Sequence, residues 1–122
     1  MSGYKSVLIV DDDLDVRESV SDVLSLEGYR AIAARDGLEG LAALERCEAP
    51  VLVLLDRMMP RMDGPAFLQE LSRLESPRNV HVVLISAQSA SRPESPFVIG
   101  ELPKPFNIET LLDILAAPPP GD

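Results

Sequence analysis

Short apolar runs alternate with segments of helical periodicity along this chain. Four runs rich in Val, Leu and Ile end directly before polar residues or a proline-lysine turn; they cover 7–10, 51–55, 81–85 and 97–102. Continuous runs of this kind are typical of strands that are buried on both faces, as in a parallel sheet. A shorter strand is predicted at 30–34. The alternation predicts repeated βα units.

The first helix is predicted over 14–27, where apolar residues recur at spacings of three and four. Asp15 and Glu18 resemble a capping box at its start, and Gly28 is expected to end it. The residues at this spacing are Val16, Val20, Val23, Leu24 and Glu27.

Three further helices follow from the same periodicity. The second lies before Pro50, the third begins with Asp63 as its N-cap, and the last covers 108–116 with Asn107 as its cap. The second helix is marked by Leu38, Leu41, Ala42 and Leu44. The predicted inward side chains are Phe67, Leu68, Leu71 and Leu74 in the third helix, and Leu111, Leu112 and Leu115 in the last.

Composition limits the class of protein. The chain has 122 residues, which predicts one domain at 4–117 and a proline-rich tail or the beginning of a linker at 118–122. A net charge of −9 argues against direct nucleic-acid binding by this domain, because phosphate recognition needs clustered Lys and Arg. No signal peptide or membrane span is expected, and the single Cys47 fits a reducing cytoplasm better than a disulfide.

Polar residues of one chemical set follow the predicted strands. Asp11, Asp12 and Asp56 come directly after two of them, Ser86 follows a third, and Lys104 follows the last. Because the carboxyl ends of parallel strands meet at one edge of a sheet, these side chains are expected to converge there. Crowded carboxylates repel one another unless a cation compensates, and carboxylate oxygens suit Mg²⁺. The set predicts a site that binds a divalent metal and handles a phosphoryl group.

These motifs resemble those of the receiver domain of two-component response regulators, over almost the whole chain. The residues at 7–13 resemble the family's acidic pair after the first strand, and 55–64 resembles its phosphoacceptor signature, the most specific match. Ile85-Ser86-Ala87 resembles the family's hydroxyl followed by a small residue, and 102–106 resembles its lysine motif. All four occur in the family's order.

The resemblance implies a fold and a function. It implies an α/β, flavodoxin-like (βα)5 doubly wound parallel sheet, and right-handed crossovers between the βα units predict the strand order 2-1-3-4-5. Asp56 would accept a phosphoryl group from the phosphohistidine of a sensor histidine kinase or phosphotransfer protein. The domain would be a signalling phosphoacceptor with self-phosphorylation and autodephosphorylation chemistry rather than a conventional enzyme. Its output would pass to a downstream protein target.

The resemblance also implies the metal ligands and the phosphoryl contacts. Asp12 and Asp56 would bind Mg²⁺, or Mn²⁺ in its place, through their carboxylates, Asp11 through a bound water, and Met58 through its backbone carbonyl. The phosphoryl oxygens would be held by Ser86 and Lys104. Asp63 is expected to be a structural cap, and Asp13 to lie at the helix terminus.

The chain departs from the family pattern on the surface that reads out phosphorylation. Many receivers have a Tyr or Phe three residues before the lysine, where this chain has Glu101. The segment between Ser86 and Lys104 is shorter than usual by about one helical turn. Its prolines and serines predict a short or irregular fourth helix at 88–96.

Two alternatives remain. A phosphorylation-independent receiver-like adaptor is favoured by Glu101 and the short crossover, and opposed by the complete acidic, hydroxyl and lysine set. A phosphatase with an aspartate nucleophile on the first strand is faintly suggested by Asp13-Leu14-Asp15-Val16. The chain is short for that fold and lacks a second acidic motif after Lys104.

Overall fold

The computed structural model describes residues 4–56, 64–73, 79–86, 98–103 and 107–117. Strands and helices alternate through most of these ranges, as the apolar runs and helical spacings predict. The elements are β1 (Ser6–Val10), α1 (Leu14–Leu26), β2 (Arg30–Ala34), α2 (Gly37–Leu44), β3 (Val51–Asp56), α3 (Gly64–Leu71), β4 (Val80–Ser86), β5 (Val98–Pro103) and α4 (Ile108–Ala116). The irregular fourth helix predicted at 88–96 lies outside the described residues, as do the Asp63 cap and the tail.

The five strands form one sheet in the order β2-β1-β3-β4-β5, and every neighbouring pair is parallel. This confirms the predicted strand order. Val10 at the end of β1 lies opposite Leu55, and Asp56 at the end of β3 lies opposite Ile85. The carboxyl ends of the central strands therefore meet at one edge.

Helices cover both faces of the sheet, which is why the central strands are apolar throughout. Every residue of β1 and β3 is buried. Alternate β1 residues point to opposite faces: Leu8 and Val10 pack with Phe67 of α3, while Val7 and Ile9 pack with Leu24, Val20, Leu111 and Leu115 of α1 and α4. A side-chain period of two thus divides the core into two layers.

The first helix starts at a different cap from the one predicted. Asp13, not Asp15, is the N-cap, and its carboxylate accepts hydrogen bonds from the backbone N–H groups of Asp15 and Val16. Asp13 is thus helix-terminal, as expected. Gly28 does end α1: it has φ 93°, and the N–H of Tyr29 donates to the Leu24 carbonyl oxygen, the bond of a Schellman motif.

The apolar residues that mark α2 in the sequence do not all lie on its buried face. Leu38 is 46% exposed and Ala42 is exposed, whereas Gly37, Gly40 and Ala43 are buried. The small residues allow the helix backbone to approach the sheet closely. This close approach, and not the size of the leucines, determines which face of α2 is buried. In α4, by contrast, Asn107 is the N-cap and Leu111 and Leu115 are fully buried, as predicted.

The inward residues of α3 are confirmed as far as the structure describes them. Phe67, Leu68 and Leu71 are buried, and Leu74 lies outside the described residues. Among the described helices, none has both the length and the apolar character that crossing a membrane requires.

Candidate functional site

Three carboxylates meet at the edge of the sheet where β1 and β3 end. Asp11 and Asp12 directly follow β1, and Asp56 is the last residue of the neighbouring strand β3. One carboxylate oxygen from each residue can be chosen so that all lie within 4.8 Å of one another. The structure therefore brings together the three acidic residues that the sequence pattern singles out.

Burial differs among the three carboxylates. Asp11 is 0% exposed and Asp56 is 5% exposed, while Asp12 is exposed. Burying ionised carboxylates side by side is costly unless hydrogen bonds or cations compensate. The site is thus a mostly buried acidic cluster that is open to solvent on the Asp12 side.

The donor set fits Mg²⁺. This ion takes oxygen ligands at about 2.0–2.1 Å, so ligands on opposite sides of it lie about 4.2 Å apart. The carboxylate oxygens span a comparable distance, within 4.8 Å. Protein carboxylates usually supply only part of the Mg²⁺ shell, and the exposure of Asp12 gives water access to the site.

Hydrogen bonds order the turn between β1 and α1. The Asp11 N–H donates to the Ala34 carbonyl oxygen of β2 at 3.1 Å. The Asp11 Oδ1 accepts from the Asp13 N–H at 2.9 Å, and the Asp11 carbonyl oxygen accepts from Nη1 of Arg17 at 2.7 Å. Asp11 therefore organises the turn with its backbone as well as its side chain.

Other predicted site residues are described only in part. The Ser86 backbone ends β4 beside β3 and lies opposite Pro103 of β5, at the same edge as the carboxylates. The Ser86 side chain, Met58 and Lys104 lie outside what the structure describes. Glu101, which stands where many receivers have an aromatic residue, is exposed on β5 opposite Leu84.

The sequence reasoning missed three residues near this edge: Asp36, Glu39 and Arg17. Asp36 is 3% exposed and caps α2, with its Oδ1 accepting from the Glu39 N–H at 2.9 Å, while Glu39 accepts from the Arg35 N–H at 3.0 Å. The Asp-x-x-Glu spacing before an apolar helix is a capping-box signal that could have revealed this pair. No comparable sequence signal marks Arg17, because its side chain contacts a backbone carbonyl group, that of Asp11.

Comparison with known proteins identifies the family. The description of the family model that matches residues 7–116 is response regulator receiver domain. The transcriptional regulatory protein CpxR homolog of Haemophilus influenzae is 37% identical over 113 residues, covering 87% of this chain and 46% of that protein. Response regulator MprA of Mycobacterium leprae is 38% identical over 109 residues, covering 87% and 47%. The chain belongs to the response regulator receiver domain family.

Solved structures agree with the flavodoxin-like fold. A CheY-like receiver domain protein from Methanospirillum hungatei superposes with a TM-score of 0.78 at 30% identity, covering 90% of each chain. Chemotaxis protein CheY4 of Vibrio cholerae gives 0.79 at 29% identity, covering 92% of this chain and 96% of that one. The chain spans about half the length of the curated relatives described above.

Proposed function

We propose that this receiver domain accepts a phosphoryl group on Asp56 in a Mg²⁺-dependent reaction. The observation that carries the proposal is the placement of Asp56 at the end of the central strand β3, with its carboxylate next to those of Asp11 and Asp12. The rigid, fully buried strand supports a nucleophile of fixed position, and the neighbouring acidic residues supply ligands for a cation.

The proposed reaction transfers a phosphoryl group from a phosphohistidine to the Asp56 carboxylate. A carboxylate oxygen of Asp56 attacks the phosphorus of a phosphohistidine on a sensor histidine kinase or phosphotransfer protein. The P–N bond breaks, its electron pair leaves with the imidazole, and an acyl phosphate forms on Asp56. Bound Mg²⁺, or Mn²⁺ in its place, supplies positive charge that offsets the repulsion between the carboxylates and the phosphoryl oxygens.

Side chains at the same sheet edge complete the proposed site. The Asp12 and Asp56 carboxylates would hold the metal directly, Asp11 through water, and Met58 through its carbonyl. Ser86 and Lys104 would donate hydrogen bonds to the phosphoryl oxygens. This part of the proposal is supported by the family's motifs and by the chain positions of Ser86 and Lys104 at the ends of β4 and β5.

Output would pass through protein-protein contacts to a downstream target. The relatives are described as a transcriptional regulatory protein and a response regulator, and each is about twice as long as the matched region. The acidic composition opposes direct nucleic-acid binding by this domain. The exposed Glu101 favours a second candidate, an adaptor that binds its target without phosphorylation.

Intact-mass spectrometry after incubation with acetyl phosphate and Mg²⁺ tests the proposal. We expect wild type to gain one phosphoryl group that hydroxylamine removes, and Asp56→Asn to gain none. Asp15→Asn is the matched control, because Asp15 is an exposed carboxylate on α1. Full modification of Asp56→Asn would overturn the site.

Peptide mapping of the phosphoryl group and binding assays on the same protein separate the two alternatives. A phosphoryl group mapped to Asp13 would support the phosphatase hypothesis, although the Asp13 carboxylate caps α1. A wild-type protein that neither gains a phosphoryl group nor binds beryllofluoride, yet still binds its target, would establish the adaptor instead.

A further inference from the structure

Arg17 reaches backward from α1 to the turn that carries the acidic pair. It is the fourth residue of the helix, and its Nη1 donates to the Asp11 carbonyl oxygen at 2.7 Å. That distance is at the short end for a charge-assisted hydrogen bond. A cation near a helix N-terminus interacts unfavourably with the helix dipole, so the dipole of α1 does not favour an arginine there. The contact therefore serves the turn rather than the helix.

The hydrogen bonds of this turn fix both peptide groups that flank Asp12. The carbonyl of the peptide between Asp11 and Asp12 is held by Arg17, at 2.7 Å. The N–H of the peptide between Asp12 and Asp13 is held by the Asp11 carboxylate, at 2.9 Å. Because each peptide group is planar, the orientations of these two groups together set φ and ψ of Asp12. The direction of its Cα–Cβ bond is restricted with them.

Asp12 depends on this backbone control more than its acidic neighbours do. Asp11 and Asp56 are held by burial, but the Asp12 side chain is exposed and packing does not position it. We infer that Arg17 is a positioning residue for the cation site: by holding the Asp11 carbonyl it presents the Asp12 carboxylate to the metal. This inference rests on the proposed Mg²⁺-dependent function.

The positive charge of Arg17 and its hydrogen bond predict opposite changes in Mg²⁺ affinity when the residue is replaced. Its guanidinium lies on the turn that bears the cation site, so removing its positive charge would by itself strengthen Mg²⁺ binding. Removing its hydrogen bond frees the Asp11–Asp12 peptide and would weaken Mg²⁺ binding, as is usual when a group that orients a metal ligand is lost. The sign of the change therefore separates the two roles.

The Mg²⁺ dissociation constant of Arg17→Met, measured by titration of backbone amide NMR shifts, tests the inference. Methionine keeps the apolar stem and the helix propensity but has no donor. We expect binding about tenfold weaker than in wild type. Arg35→Met is the matched control: Arg35 follows β2 at the same edge, and its exposed guanidinium pairs with Glu39. The control should bind Mg²⁺ as tightly as wild type or slightly more tightly.

Two further readouts distinguish positioning from general destabilisation. In metal-free protein, the Asp13 amide hydrogen should exchange faster in Arg17→Met than in wild type, while amides of β3 keep their protection. Arg17→Lys, which retains a donor on a long stem, should recover part of the lost affinity. If Arg17→Met does not unfold cooperatively, Arg17→Leu replaces it in the same comparison.

The outcomes also separate this inference from the proposed function. If wild type binds no Mg²⁺, the proposed function fails and takes the inference with it. If wild type binds Mg²⁺ while Arg17→Met binds equally or more tightly, the proposed function stands and the positioning role of Arg17 is overturned.

Discussion

A Cβ atom added to Gly40 would lie 3.0 Å from Cγ2 of Val10, the last residue of β1 before the acidic pair. The same atom would lie 3.1 Å from Cε1 of Phe67 on α3. Real Cβ contacts are rarely this short, so only glycine fits without displacing a core side chain. The α2 helix therefore packs with its backbone against the strand that leads to the candidate site.

Gly40→Val should destabilise the protein by about 2 kcal/mol or more, because overpacking a well-packed core typically costs about 1–3 kcal/mol. Helix propensity alone predicts a small gain, since valine is a better helix former than glycine. Gly100→Val is the control, because an added Cβ on Gly100 has no neighbour within 4 Å among the residues that the structure describes. Urea denaturation measures both variants, and a Gly40→Val protein as stable as wild type would contradict the close approach.

Mg²⁺ should raise the melting temperature of the wild-type protein in a concentration-dependent way. A ligand that binds only the folded state adds about 2.7 kcal/mol at one hundred times its dissociation constant. Asp12→Asn should lose most of this gain, because a ligand oxygen and its charge disappear together. Asp22→Asn, on the exposed face of α1, should keep it. A Mg²⁺-dependent shift that survives both Asp12→Asn and Asp56→Asn would contradict the metal site.

Asp13→Ala should cost about 1 kcal/mol of stability, the usual loss when an N-cap side chain is removed. The reason is that the Asp13 carboxylate accepts from two backbone N–H groups at the start of α1. Asp15→Ala should cost less, because Asp15 contributes only a favourable charge near the helix N-terminus. Thermal denaturation of the two variants compares them, and the reverse order would restore Asp15 as the cap.

Cys47 should react slowly with iodoacetamide at neutral pH. Burial raises the pKa of its thiol above the ordinary 9.0, an effect that the nearby Arg30 and Arg46 partly offset. The Sγ atom also donates to the Ala43 carbonyl oxygen at 3.5 Å. The alkylation rate should rise at higher pH in the folded protein than in the denatured chain. Identical pH profiles for the folded and denatured forms would contradict the burial effect.

The same pKa shift has a consequence for stability. The folded thiol holds its proton to higher pH than the unfolded one, so its contribution to the free energy of unfolding is fully present below pH 9.0 and decreases as pH rises through the folded pKa. Cys47→Ala should therefore reduce the loss of stability above pH 9.0. Chemical denaturation across this range measures the difference, with Tyr4, whose pKa burial also raises, common to both proteins.

The strands and most helix ends were predictable because their signals are local. A strand buried on both faces needs an unbroken apolar run, and β1 and β3 have one. Gly28 and Asn107 mark helix ends because one residue is enough for each signal. Gly28 adopts a positive φ, and the Asn107 side chain accepts a backbone hydrogen bond. The convergence of Asp11 with Asp56 was also predictable, since parallel strands end at one edge.

Other features depend on contacts that no local sequence pattern marks. The buried face of α2 is set by the distance between Gly40 and Val10, and no periodicity within 37–44 distinguishes this face from one lined by leucines. The role of Arg17 depends on a carbonyl group, which every residue has and which no side-chain pattern marks. The sequence alone thus determined that Asp11, Asp12 and Asp56 meet at the edge of the sheet. Only the tertiary structure decided how closely the backbones approach and which peptide groups are held there, because both follow from packing and not from local preference.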